Sequence, residues 1–288
     1  MKNINYLNVG YFVIVQLFTV TISHADETYS IFNPTPDERL RPMTTERPSR
    51  TDSPYSIDAG QIQIEANIYG FARNDDCHNN SCTETKRHTI GGSTNFRIGL
   101  TNNTDIQFIT DLYQHQTIND RSDSSTIRQQ GLGDTTIRLK INVIGNNPSD
   151  TFSLAVLPYV TLPTHQDDLG NNEVEGGLGL PFNIAFANNW NIGGMTQFNF
   201  ISEIDGSGYD IAYANSVIVG KGLTDKLSAY GEYYTYKADQ SGAEWENTLG
   251  FGSIYQLSKK ISVDANLQFG TTNTADDVNL FFGGAYRF

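Results

Sequence analysis

The sequence predicts an all-β protein, a transmembrane antiparallel up-and-down β-barrel of about 12 strands. Three observations carry this expectation. From Gln61 onward apolar and polar residues alternate at period two almost without pause. The polar faces carry charges that need a wet interior, while the opposite faces are aliphatic or aromatic. Connections alternate between short turns and longer, more polar loops, as in barrels with periplasmic turns and external loops. Composition agrees: only 38% of residues are hydrophobic, yet 16 Phe and 15 Tyr are present. That balance is poor for a soluble core and suits strands that are apolar on one face only.

The chain begins with a stretch that reads as a secretory signal peptide, residues 1–25. Lys2 is its single charge, an apolar run extends from Val9 to Ile22, and Ser23-His24-Ala25 places small residues at the −3 and −1 positions. The run is shorter than the roughly 20 residues a transmembrane helix needs. Export directs the protein to the bacterial outer membrane. The net charge of −13 removes nucleic acid from the partners expected.

Residues 26–60 form a proline-rich N-terminal segment, assigned to the periplasmic side, with Pro34, Pro36, Pro42, Pro48 and Pro54 and no sustained periodicity. Its later part runs into the first strand as ERPSRTDSPYSIDAGQIQIE, residues 46–65. This stretch resembles the N-terminal signature of a transporter family named for the MetA pathway of phenol degradation. The resemblance implies an outer-membrane barrel that takes up small, aromatic or otherwise apolar molecules. For Arg47, Arg50 and Asp52 two readings stay open: a solvated tether, or a segment folded into the barrel mouth with both arginines paired to lumen carboxylates.

The barrel is expected over residues 61–288. Ile62, Ile64, Ala66 and Ile68 open the first strand. A loop with Cys77 and Cys82 follows, read as one local disulfide; a metal site with His78 and His88 is the alternative, and the one cysteine pair by itself lacks the four ligands of structural zinc. Strands are then expected near Ile90–Leu100 and Ile106–His115. The fourth sets Thr135, Ile137, Leu139, Ile141 and Val143 against Asp134, Thr136, Arg138, Lys140 and Asn142. The fifth, about Thr151–Leu162, is interrupted by Pro158; the rest start near Leu178, Ile192, Tyr209, Leu227, Leu249 and Ile261. The last places Val278, Leu280, Phe282, Gly284, Tyr286 and Phe288 on one face, with Phe281 a misfit on the other. Tyr286 and Phe288 resemble the C-terminal signal read by the outer-membrane assembly machinery. Segments 72–88 and 116–130 are expected to be external loops.

Parity puts Glu65, Asp105, Asp111, Asp134, Asp210, Glu232 and Asp264 inside the lumen with Arg97, Arg138, Lys140 and Arg287. Glu65 should lie level with Arg97, and Asp111 with Arg138. Of these, Glu65, Arg97, Asp111, Asp134, Arg138, Lys140, Glu232 and Asp264 are the candidate substrate path, in a lumen constricted by ion pairs. His115 is expected to face inward. Tyr230, Tyr233, Tyr234 and Tyr236 read as an interfacial girdle.

No catalytic constellation or cofactor motif stands out, and no Gly-x-Ser-x-Gly elbow is present. The acidic run Asp167, Asp168, Glu173 and Glu175 reads as a solvated loop before a cation site. The chain is therefore read as a channel rather than an enzyme, with no cofactor and no metal. A lipid hydrolase and a structural or adhesive barrel are the alternative classes. Expected partners are outer-membrane lipid, lipopolysaccharide, the assembly machinery and a small-molecule substrate. Deleting Phe288 should lower outer-membrane yield while leaving the conductance of assembled protein unchanged; undiminished yield would refute the signal.

Overall fold

The computed structural model describes residues 29–78, 81–122, 124–203 and 208–288. The signal-peptide expectation over residues 1–25 lies outside them. Fourteen strands form one antiparallel sheet that closes on itself. They are β1 Ile62–His78, β2 Ser81–Thr101, β3 Thr104–Thr110, β4 Tyr113–Asp120, β5 Ser125–Gly131, β6 Thr135–Ile144 and β7 Phe152–Leu162. The second half is β8 Glu175–Phe186, β9 Trp190–Ser202, β10 Tyr209–Gly222, β11 Leu227–Ala238, β12 Glu246–Ser258, β13 Ile261–Gly270 and β14 Val278–Arg287. Twelve of them make the barrel, closed where β1 pairs with both β2 and β14. The extra two, β4 and β5, continue β3 and β6 beyond the wall, still paired to β2 and to each other.

The described residues of the expected loops over 72–88 and 116–130 are therefore mostly strand, in β1, β2, β4 and β5. Above the membrane both faces of a strand meet water, so the apolar alternation vanishes although the backbone ladder persists. Connections at the other end are short, which marks that end as periplasmic. They include Asn102-Asn103 and Lys259-Lys260.

A bulge in β2 faces the break between β3 and β4. Gly91 and Ser93 have φ of 63° and 45°, and the Leu112 N–H donates to the Gly91 carbonyl at 3.1 Å. Glycine suits the left-handed conformation at 91. Opposite the bulge, Leu112 and Tyr113 both face outward, 47% and 40% exposed. The alternation slips by one residue, so His115 lies on the outer wall opposite His88, not in the lumen as expected.

The interior is inverted relative to a soluble protein. The largest fully buried side chains include Arg97, Lys140, Gln63, Gln107 and Glu65, whereas Leu280, Phe282 and Tyr286 are 44%, 47% and 43% exposed. Phe281, the misfit of the last strand, points inward. Proline thins the ladder around β7. Pairing with β6 skips Leu139 and Lys140 opposite Leu157 and Pro158, and pairing with β8 skips Ala155 and Val156 opposite Leu180 and Pro181.

The β1–β2 register sets Cys77 directly opposite Cys82. A bond there would close a small ring, constraining the unfolded chain by about 2 kcal/mol. Thiol labelling of unreduced, denatured protein should find no reactive cysteine, and a Cys82→Ser variant should still fold. Two labelled thiols would refute the bond.

Candidate functional site: a plugged lumen

Residues 41–59 enter the lumen from the periplasmic end, turn back around Arg47–Asp52 and leave by the same end. Proline and serine make this path possible, since an extended chain without helix or ladder must find its partners in side chains. Arg41 clasps the two arms together at the entrance. Its Nε pairs with Asp58 at 2.6 Å, and its Nη atoms donate to the Asn146 and Asn102 carbonyls at 2.7 and 2.8 Å.

Arg97, fully buried on β2, is the centre of the seat. It pairs with Glu46 at 2.9 Å, Glu65 at 3.1 Å and Asp105 at 2.8 Å, and donates to the Tyr55 carbonyl at 2.9 Å. Lys140, equally buried, pairs with Glu46 and donates to the Ser53 carbonyl. Glu65 accepts the Glu46 N–H at 2.8 Å, and Asp105 accepts the Ile57 N–H at 3.0 Å. Burial alone would push the Glu46 carboxyl up, but Lys140 and Arg97 outweigh it and hold the group at about 2. Glu46 is thus a fixed anion between two cations of the wall.

The turn is held by separate pairs. Arg47 forks onto Asp264 at 3.0 and 2.6 Å, donates to Asn67 at 2.6 Å and lies 5.8 Å from the Phe281 ring centre. Gly283 leaves room for this guanidinium, since a Cβ there would collide with it and with the Ala66 carbonyl. Arg50 reaches Glu246 at 2.8 Å and Gln268 at 3.1 Å, and covers the Tyr234 ring at 4.6 Å. Glu232 accepts the Arg50 and Thr51 N–H groups at 3.0 and 2.7 Å. Asp52 pairs with Arg138 at 2.6 Å. Burial pushes the Asp52 carboxyl up even so, which makes it a less secure anion than Glu46.

The geometry brings together Arg47, Arg50, Asp52, Glu65, Arg97, Arg138, Lys140, Glu232 and Asp264. The expected level pairing of Glu65 with Arg97 is present, but Arg138 turns to Asp52 and to Gln107 at 2.9 and 2.6 Å. Asp111 instead accepts the Ser93 N–H at 2.5 Å beside the bulge. Asp134 binds the His165 and Asn171 N–H groups at 3.1 and 2.7 Å, fixing the connection after β7. Tyr230, Tyr234 and Tyr236 lie on the inner face of β11 rather than in a girdle; only Tyr233 of the four faces outward, 41% exposed. Arg41, Glu46 and Asp58 escaped sequence reasoning because period-two parity says nothing of an irregular segment.

Two cavities flank the turn. The outer one, about 720 Å³, is lined by Asp111, Arg138, Phe281 and Asn95 among others. The inner one, about 560 Å³, is lined by Met43, Tyr55, Asn183 and Tyr230 among others. Arg47, Pro48, Ser49 and Asp52 border both, so the turn of the segment is the partition between them.

The chain was compared with known proteins. A family model described as "Putative MetA-pathway of phenol degradation" matches residues 45–288. No curated protein matches the chain in sequence. Among solved structures, an outer membrane channel from Pseudomonas putida F1 superposes with a TM-score of 0.60 at 14% identity, covering 85% of this chain and 100% of that one. The transport unit of the autotransporter AIDA-I from Escherichia coli gives a TM-score of 0.54 at 8% identity, covering 85% of this chain and 92% of its own. At such identities the likeness speaks for the fold, a closed barrel of the bacterial outer membrane. By the family match, the chain belongs to the family of the "Putative MetA-pathway of phenol degradation".

Proposed function

We propose that the protein is a passive uptake channel for small molecules, kept narrow by residues 41–59 folded into its lumen. The observation that carries this reading is the partition: two cavities on one axis, divided by a short stretch of chain rather than by the wall. The family description adds aromatic or otherwise apolar compounds as the solute class. Phe281 and Tyr230, one on each side of the partition, offer such a solute aromatic surfaces amid polar walls.

The seat grades the segment mechanically. Glu46 is held by two buried cations, and removing one partner of a buried ion pair costs about 3–5 kcal/mol. The turn is attached by the forked Arg47, by Arg50, by the Arg50 and Thr51 N–H groups on Glu232 and by Asp52. If Asp264 is removed, Arg47 can escape its penalty by moving into the water of either cavity. The turn therefore yields before the seat does.

In planar bilayers the wild-type protein should show small, steady conductance. Asp264→Ala and Arg138→Ala should raise it several-fold without loss of assembled barrel; unchanged conductance in both would refute the partition. Arg97→Ala leaves Lys140 as the one buried cation of the seat against Glu46, Glu65 and Asp105, so it should reduce assembled barrel in the outer membrane, measured by heat-modifiable gel mobility. Liposome swelling should be faster with phenols than with sugars of similar size. Equal rates would remove the aromatic preference while leaving the channel.

A further inference from the structure

The outer wall formed by β1, β2, β4 and β5 carries its residues in rows, because directly paired residues share a face. The lowest row is Tyr69, Ile90 and Tyr113, with Phe282 of β14 beside Tyr69 at 6.1 Å between ring centres. Next come Phe71, His88, His115 and Gln130. The rings of Phe71 and His88 lie 5.1 Å apart, those of His88 and His115 6.4 Å, and Tyr69 Oη is 2.9 Å from His88 Nδ1. The third row is Arg73, Lys86, Thr117 and Arg128. Above it Asp75, Glu84, Asn119 and Thr126 follow, with Arg121 reaching Asp75 at 3.1 Å.

Height and charge both set the third row apart. Arg73 stands about 11 residues above Ile62, which for strands tilted ~40° is roughly 28 Å, just past an apolar band ~25 Å tall. The row lies where phosphates of the outer leaflet lie. Arg73, Lys86 and Arg121 side chains are 42%, 41% and 51% exposed. They share the two carboxylates Asp75 and Glu84, and Arg128, exposed on β5, has no ion-pair partner among the described residues. Four cations stand against Asp75, Glu84 and Asp277, whose carboxylate accepts the Asp75 N–H at 2.9 Å, which leaves this patch positive by one on a chain of net charge −13. Elsewhere on the external side Asp167, Asp168, Glu173 and Asp276 repel phosphate.

We propose that this wall is a binding site for lipopolysaccharide, with its phosphorylated disaccharide head on the Arg73–Lys86–Arg128 row and its acyl chains over the aromatic rows below. Arginine forks suit phosphate oxygens, and flat rings beneath suit chains entering the hydrocarbon. Arg73 and Arg128 lie three strand spacings apart, about 14 Å. That spacing suits a head with a phosphate at each end better than a phospholipid with one. The extension of β1–β2 and the added β4–β5 supply the width, so the site exists because the sheet outgrows the barrel.

The test uses full-length, delipidated protein in detergent and native mass spectrometry against lipid A with two phosphates, lipid A with one, and phosphatidylglycerol. Wild type should prefer the bisphosphorylated form at least tenfold over phosphatidylglycerol. The combined variant Arg73→Ser, Lys86→Ser, Arg128→Ser should lose that preference, while Lys237→Ser, on another part of the wall, should keep it. Arg128→Ser alone breaks no ion pair, so it cannot disturb folding through one; it should weaken binding about threefold. Wild-type binding by the combined variant, or by Arg128→Ser if the combined variant does not fold, overturns the site. Equal binding of phosphatidylglycerol reduces it to a general anionic surface and overturns the assignment to lipopolysaccharide.

Discussion

The structure depends on the buried guanidinium of Arg97. One cation without solvent exposure faces three carboxylates, of which Glu65 and Asp105 come from the wall and Glu46 from the inserted segment. A wall carrying Arg97, Lys140, Glu65 and Asp105 around a narrow lumen could be hydrated or filled. Here it is filled, and the filler brings the complementary groups. Charged residues that would be ruinous in a soluble core are tolerated because these four have partners in the facing strand or in the segment. The arrangement also gives the lumen its order: firm near the periplasmic end, where Arg41 and Arg97 bind both arms, and looser at the turn.

Much of the wall was readable from residue order alone. Val278, Leu280, Phe282 and Tyr286 alternate because lipid is continuous along one face, and all twelve barrel strands share that constraint. Where the constraint lapses, so does legibility. The strands above the membrane carry Arg73, Asp75, Glu84 and Lys86 in no apolar rhythm, and they read as loops. His115 was misplaced because the alternation slips by one residue at Leu112–Tyr113, between β3 and β4 and beside the bulge at Gly91–Ser93.

The plug shows the other limit. Arg47 was open to two readings, and nothing local could choose between them. Its partner Asp264 is 217 residues away in sequence, and the geometry that joins them is set by barrel closure. Phe281 is similar. As an inward aromatic on a polar strand face it is an anomaly, and its meaning emerges only with Arg47 above its ring. Residues that break a pattern in this chain tend to be those that meet the inserted segment.

The prolines flanking β7 bear on a different property. A barrel resists changes of cross-section because each strand is stitched to two neighbours along its whole length. Around Pro158 and Pro181 that stitching is interrupted on both edges of one strand within the four residues Ala155 to Pro158. Behind it stand Leu157 and Met195, which hold position by packing and not by hydrogen bonds. The hoop is therefore least stiff along one line of its circumference. Ovalisation of the ring, the deformation that a bulky solute passing the turn would demand, costs least there.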